Sequence, residues 1–250
     1  MTSRGLLQPP KTTTKKHPSP GLSAKLFDRR RYPYCEDVRS GYASWAPSYD
    51  EVVSPRFGLV FLEDLDLDWR DVDTAVDLAC GTGMAGPILA RHGVEHIDGV
   101  DFTEEMIEKA GDRQSYRQLV HRDLTENGLD DHAYDLVLLS LAHEHFADLR
   151  VLYREFSRLV ASCGDIVVIG YHPFFQLMGV PTHFRNDEGN ISIESWVHGF
   201  SDHFDAAFDC GFRLNRMLEQ KIDQEWIRTK PRWEDLEGVP ISFCLHFRTE

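Results

Sequence analysis

The chain has 250 residues, 42% hydrophobic and 11% aromatic, which is enough apolar material for one large domain with a buried core. Its formal charge is −14, and because residues 1–31 carry a net +7, the remainder stands at −21, a body that repels phosphate backbones and argues against a nucleic-acid substrate. No run of eighteen apolar residues offers a membrane span, the start lacks the apolar stretch of a secretory signal, and five scattered cysteines without C-x-x-C spacing read as reduced thiols of a cytoplasmic protein.

Residues 1–25, rich in Thr, Lys, Pro, Ser and Gly, read as a disordered tail. Arg29-Arg30-Arg31, close to Glu36-Asp37, reads as a solvated or salt-bridged edge. Two short helices are predicted next, over 37–45 and 48–64. Tyr42, Trp45 and Tyr49 stand at i, i+3 and i+7 and share one helical face if the helix continues through Pro47. Strand and helix then alternate: strand 74–79, helix 84–92, strand 96–100, helix 103–111, strands 116–121 and 134–140, helix 148–161 and strand 165–171. This alternation predicts an α/β, doubly wound sheet with right-handed crossovers, whose ligands bind beyond the carboxyl ends of the strands. Phe174 to Ile193 is an apolar insertion with a hairpin tip at Asn186-Asp187-Glu188-Gly189-Asn190. It reads equally as a lid over a small acceptor or as a contact in a homodimer. A helix over 194–210, stopped by Gly211, precedes two long strands, 212–223 and 240–247, with no helix between them.

The run Ala75-Val76-Asp77-Leu78-Ala79-Cys80-Gly81-Thr82-Gly83 is a buried strand breaking into a glycine turn before a helix, the arrangement of a nucleotide-type cofactor site. Twenty residues past Gly81, a second apolar run ends in Asp101, where an acid can hold ribose hydroxyls. Gly81-Thr82-Gly83-Met84-Ala85-Gly86 also fits the dinucleotide pattern G-x-G-x-x-G. Asp77, however, puts a carboxylate ahead of the glycines, which suits a cationic ligand and opposes a pyrophosphate.

These residues resemble motif I of the class I S-adenosylmethionine-dependent methyltransferases, D-x-G-x-G-x-G, with Ala79 in place of the first glycine. Val100-Asp101-Phe102-Thr103-Glu104-Glu105-Met106-Ile107 resembles the second motif of that family and His121-Arg122-Asp123-Leu124 the third. Tyr134-Asp135-Leu136-Val137-Leu138-Leu139-Ser140 resembles its fourth strand, and Cys163-Gly164 before 165–170 its turn and fifth strand. The resemblance implies a seven-stranded, mostly parallel, Rossmann-like sheet ending in an antiparallel pair. It implies a methyltransferase domain over 26–250, capped by the segment 37–64 and carrying the insertion at about 172–193. The implied cofactor is S-adenosyl-L-methionine and the implied acceptor a small organic molecule. Cofactor contacts are implied for Asp77, Ala79, Gly81 and Gly83, for Asp101 at the ribose, and for Phe102 and Met106 against the adenine. Asp123 and Leu124 would meet the adenine edge, Ser140 would form a wall, and Tyr42 and Tyr49 would belong to the cap.

Methylation of an oxygen or nitrogen requires a group that takes a proton. The fourth strand runs into Ser140-Leu141-Ala142-His143-Glu144-His145-Phe146 and the fifth into Tyr171-His172-Pro173. His143, His145 and His172 are the candidate bases, with Glu144 as an orienting acid. A metal shared by His143, His145, His172 and His183 is disfavoured, since they lack i, i+4 spacing with a carboxylate, and no metal ligand is assigned. His198 and His203, five apart on a predicted helix, point to different faces. Two other readings are an NAD-dependent oxidoreductase and an inactive cofactor-binding partner protein.

Overall fold

Asp37 accepts the Ser40 N–H at 3.0 Å and so caps the helix α1 (Val38–Trp45), just after a short strand, β1 (Tyr34–Glu36). The computed structural model describes residues 31–249, so the expected tail over 1–25 and all of the arginine run except Arg31 lie outside the described residues. The helix expected over 48–64 is broken into α2 (Tyr49–Val52), a 3₁₀ turn at Pro55–Phe57 and α3 (Phe61–Asp64). Pro55 has no N–H to give a longer helix. Gly58 lies so close to the sheet that a Cβ there would collide with Ile169 Cγ2.

The alternating pattern then folds as expected into β2 (Thr74–Leu78), α4 (Gly86–Arg91), β3 (His96–Asp101), α5 (Glu104–Asp112), β4 (Gln118–His121), β5 (Tyr134–Ser140), α6 (Leu149–Leu159) and β6 (Val160–Tyr171). β6 is longer than predicted because the chain leaves α6 directly into it. Cys163 adopts φ 62° before Gly164, where the turn was expected. Beyond it come α7 (Pro173–Leu177), β7 (His183–Asn186), β8 (Gly189–Ile193), α8 (Phe200–Asp209), β9 (Arg213–Lys221), α9 (Gln224–Thr229) and β10 (Pro240–Arg248).

Two expectations fail in this last third. The helix expected from 194 begins only at Phe200, because tertiary hydrogen bonds hold the segment extended: the Glu194 N–H donates to Glu36 O and the Trp196 N–H to Glu144 O. A helix, α9, does lie between the two long strands, followed by a 3₁₀ stretch over Pro231–Leu236. Asp223 caps α9 by accepting the N–H groups of Glu225 and Trp226.

The main sheet has the order β4-β3-β2-β5-β6-β10-β9, parallel from β4 to β6, with β10 antiparallel to both of its neighbours. Alternate residues of its central strands face opposite layers. Val137, Leu139, Ile166 and Val168 pack beneath α6 and α8 with Tyr153, Phe156 and Ala207. Leu136, Leu138, Val167 and Ile169 pack on the other side against Leu62, Leu89 and Val94. Strands buried on both faces read as continuous apolar runs, which is why β2 and β5 are legible in the sequence. A second sheet, β1-β8-β7, joins the N-terminal segment to the insertion hairpin, with Tyr34 opposite Ile191 and Asn186 opposite Gly189. It covers an aromatic cluster that includes Trp45, Phe57, Phe175, Phe184 and Trp226.

Candidate active site

A cavity of about 180 Å³ opens beyond the carboxyl ends of β2, β3 and β5. It is lined by Ala79, Gly81, Asp101, Phe102, Met106, Asp123, Leu124 and Ser140 from the sheet side, and by Val38, Tyr42 and Tyr49 from the cap. Leu141, Ala142, His145 and Phe146 close the remaining wall. A smaller recess shares Tyr49, Ala79, Gly81, Ser140 and Leu141 with it and adds Asp77, Cys80 and Thr82. Asp77 is thus at the neighbouring recess and not in the larger cavity.

The turn after β2 explains these positions. Ala79 has φ 53°, Gly81 φ 53° and Gly83 φ 77°, so the chain coils back three times within five residues. Around the absent Cβ of Gly81 no atom lies within 4 Å, and that open space faces the cavity. Gly83 does not line it. A Cβ at Gly83 would lie 2.9 Å from the Tyr116 ring and one at Gly86 2.7 Å, so these two glycines make room for a protein side chain and not for a ligand. The Tyr116 hydroxyl donates to Asp77 Oδ2 at 2.7 Å. Burial pushes the Asp77 carboxyl up to about 7, against the opposite pull of that hydrogen bond. Asp101 is also raised by burial, although its two oxygens accept the Gly81 and Thr103 N–H groups, both at 2.9 Å. Nothing in the sequence singled out Tyr116, which stands just ahead of β4 and carries no motif.

At the other end of the cavity, Asp123 accepts the Thr125 N–H and so fixes the turn that places Leu124. Arg39 of α1 lies over the Phe102 ring at 4.9 Å. The three cap aromatics do share a face: Tyr42 and Trp45 stack with centroids 5.9 Å apart, and Trp45 meets Tyr49 edge-on at 4.9 Å, despite Pro47 ending the helix between them.

The three candidate bases separate. Only His145 lines the cavity. Its Nδ1 lies 2.7 Å from Glu194 O, and a carbonyl can only accept, so Nδ1 carries the proton. Nε2 is then the acceptor, and the Tyr42 hydroxyl donates to it at 2.9 Å. His143, two residues earlier, points the other way. It is buried against Gly170, Phe243 and the rings of His203 (5.0 Å) and His198 (6.2 Å), and burial pushes it down to about 4. His198 and His203, expected on separate faces of one helix, therefore meet at this core histidine, because His198 precedes α8. His172 is buried as the N-cap of α7, with Nε2 2.7 Å from Glu219 and Nδ1 accepting the Phe174 N–H. Glu144 is buried, one oxygen accepting the Thr182 hydroxyl at 2.8 Å. Among the described residues, no group of three or more His, Cys, Asp and Glu side chains has the spacing to hold a metal ion.

The insertion is partly buried and partly exposed. Phe175 and Phe184 are buried in the aromatic cluster, whereas Phe174, Leu177 and Met178 are exposed. Among the described residues no helix is long and apolar enough to cross a membrane.

The donor set fits a cationic amino-acid ligand bearing a nucleoside. Two buried carboxylates flank a glycine turn whose open space faces the cavity: Asp101 is placed to hold ribose hydroxyls, and Asp77 opposes a pyrophosphate. Residues 76–168 match a family model described as a methyltransferase domain. A demethylmenaquinone methyltransferase of Clavibacter sepedonicus is 34% identical over 98 residues, covering 37% of this chain and 39% of that protein. The Thermus thermophilus protein of the same name is 30% identical over 139 residues, 48% of this chain and 63% of its own length. The chain thus spans about two fifths of the first curated relatives it matches. A solved S-adenosylmethionine-dependent methyltransferase of Mesorhizobium loti superposes with a TM-score of 0.60 at 19% identity, covering 76% of this chain and 96% of that one, which shows a common fold.

Proposed function

We propose that the chain is a class I S-adenosylmethionine-dependent methyltransferase that transfers a methyl group from S-adenosyl-L-methionine to an oxygen or nitrogen of a small organic acceptor. The observation that carries this reading is the convergence of Gly81, Asp101, Met106 and Asp123 on one cavity with a proton-accepting His145 Nε2. The named relatives act on demethylmenaquinone, tocopherol and malonyl-[acyl-carrier protein], so they agree on methyl transfer and differ in the acceptor.

When bound, the cofactor supplies an electrophilic methyl on a sulfonium, whose positive charge disappears as the methyl leaves. Asp77 would face the amino-acid end and Asp101 the ribose. Tyr42 and Tyr49 line the cap side of the cavity, where they would shield the alignment that an in-line displacement requires. The acceptor's O–H or N–H would take the place now held by the Tyr42 hydroxyl and give its proton to His145 Nε2. The Glu194 carbonyl holds the imidazole in the tautomer able to receive it.

Calorimetric titration with S-adenosylhomocysteine and, separately, with NADH tests the reading. Binding of the first and not the second is expected. Tight NADH binding without binding of S-adenosylhomocysteine would overturn it.

A further inference from the structure

An open cleft of about 1250 Å³ continues from the recess beside Asp77, sharing Val53, Ser54, Pro55 and Met84 with it. On one side it is apolar, with Val60, Pro87 and Ile88; on the other it is formed by α9 and the residues after it, including Lys230 and Arg232. Two other cations of the cleft are neutralised: Arg56 by Asp223 and Glu225, and Arg113 by Asp50. Among the described residues, Lys230 and Arg232 have no carboxylate within ion-pair distance, although Glu51 also lines the cleft. This is unusual in a body whose charge is −21. Lys230 is held in place by three rings, its Nζ 4.5 Å from the centroid of Phe57, 4.8 Å from Trp233 and 5.9 Å from Trp226. The rings hold the ammonium without neutralising it.

Burial lowers the Lys230 amine to about 8, with the nearby Arg232 adding to the effect. Both cations also bear on His183, which burial first, and then Arg232, Arg31 and Lys230, hold below its usual range.

We propose that this cleft receives an acceptor that carries a carboxylate, bound by Lys230 and Arg232 while its apolar body lies along Val53, Met84 and Ile88. The assignment of this anion as the acceptor rests on the methyl-transfer reading. The acceptor would be an organic acid whose methylated atom reaches past Met84 and along Tyr49 and Leu141, which line both the recess and the larger cavity, to His145.

The full chain, saturated with S-adenosylhomocysteine, is titrated calorimetrically with benzoate and with its neutral analogue benzamide. Benzoate should bind about tenfold more tightly, the scale of one charge-assisted hydrogen bond. Lys230→Met, which can still pack against the rings, should remove the preference, and Lys230→Arg should retain most of it, with circular dichroism showing that both fold. Equal affinity for the two probes, or a preference that survives Lys230→Met combined with Arg232→Met, would overturn the proposal. The S-adenosylhomocysteine titration is read independently. Binding of that ligand without a benzoate preference sinks only the carboxylate site. A benzoate preference without such binding sinks the assignment of the anion as acceptor, together with the methyl-transfer reading.

Discussion

At the sheet end of the larger cavity, Ala79, Gly81, Asp101, Asp123 and Ser140 each stand at or just past the carboxyl end of a parallel strand, so the sheet alone delivers them to one place. At the cap end, Tyr42 meets His145 across 103 residues of sequence, and His145 meets Glu194 across another 49. The first site inherits its geometry from a repeating local pattern. The second exists only after β1 has paired with β8 and the extended segment before α8 has docked on Glu144. Under the proposed function, substitutions at the sheet end should therefore change cofactor binding, and those at the cap end should change turnover.

Replacing His145 with Ala offers the largest expected effect and the sharpest form of that division. It should lower kcat by about 10²–10³ while leaving S-adenosylhomocysteine affinity within about threefold, as judged by single-turnover assays and calorimetry. Asp77→Asn tests the opposite end. It should weaken S-adenosylhomocysteine binding by about 100-fold, the loss of one buried charge-assisted contact. The same change should raise the melting temperature of the ligand-free protein at pH 8. The sign follows from the carboxyl's pKa of about 7 in the fold against 3.8 for an unperturbed aspartate: burial penalises its ionised form, so its contribution to stability is lost as pH rises from about 4 through 7.

His143 gives a pH test within the core. Unfolded, it gains its proton near 6.5; folded, only near 4. The unfolded chain binds more protons in that window, so stability falls as pH drops from about 6.5 to 4, by up to ~3 kcal/mol from this group. Urea midpoints between pH 7 and 4.5 should show that slope, flattened in His143→Asn, and an unchanged slope in the variant would contradict the assignment. The smallest effect is expected at the turn itself. Ala79 sits at φ 53°, where a side chain costs ~1–2 kcal/mol. Ala79→Gly should accordingly stabilise the fold by about 0.5–1 kcal/mol after the extra chain entropy of glycine is subtracted, as measured by urea denaturation.

The two histidines of His143-Glu144-His145 show where reading the sequence stops. Both are placed at the end of β5 by the strand pattern, and residue type cannot separate them. The 3₁₀ turn over His143–His145 directs one ring beneath the sheet, where Gly170 leaves space for it, and the other toward α1. Gly83 is a similar case: its positive φ is legible from motif I, but whether the freed space serves a ligand or the ring of Tyr116 depends on a residue 33 positions away.

What the chain determined by itself is the frame: continuous apolar runs that must be strands buried on both faces, a glycine turn after the first, and acids at the ends of the second and third that can only face the common crevice. Tertiary structure decided the rest. It broke the helix expected over 48–64, kept 194–199 extended, built α9 between the last two strands and brought Lys230 among three rings. The reason is the range of the forces involved. Strand and helix periodicity is set by neighbours a few residues apart, whereas the cap is held by hydrogen bonds and aromatic contacts between segments that no local pattern relates.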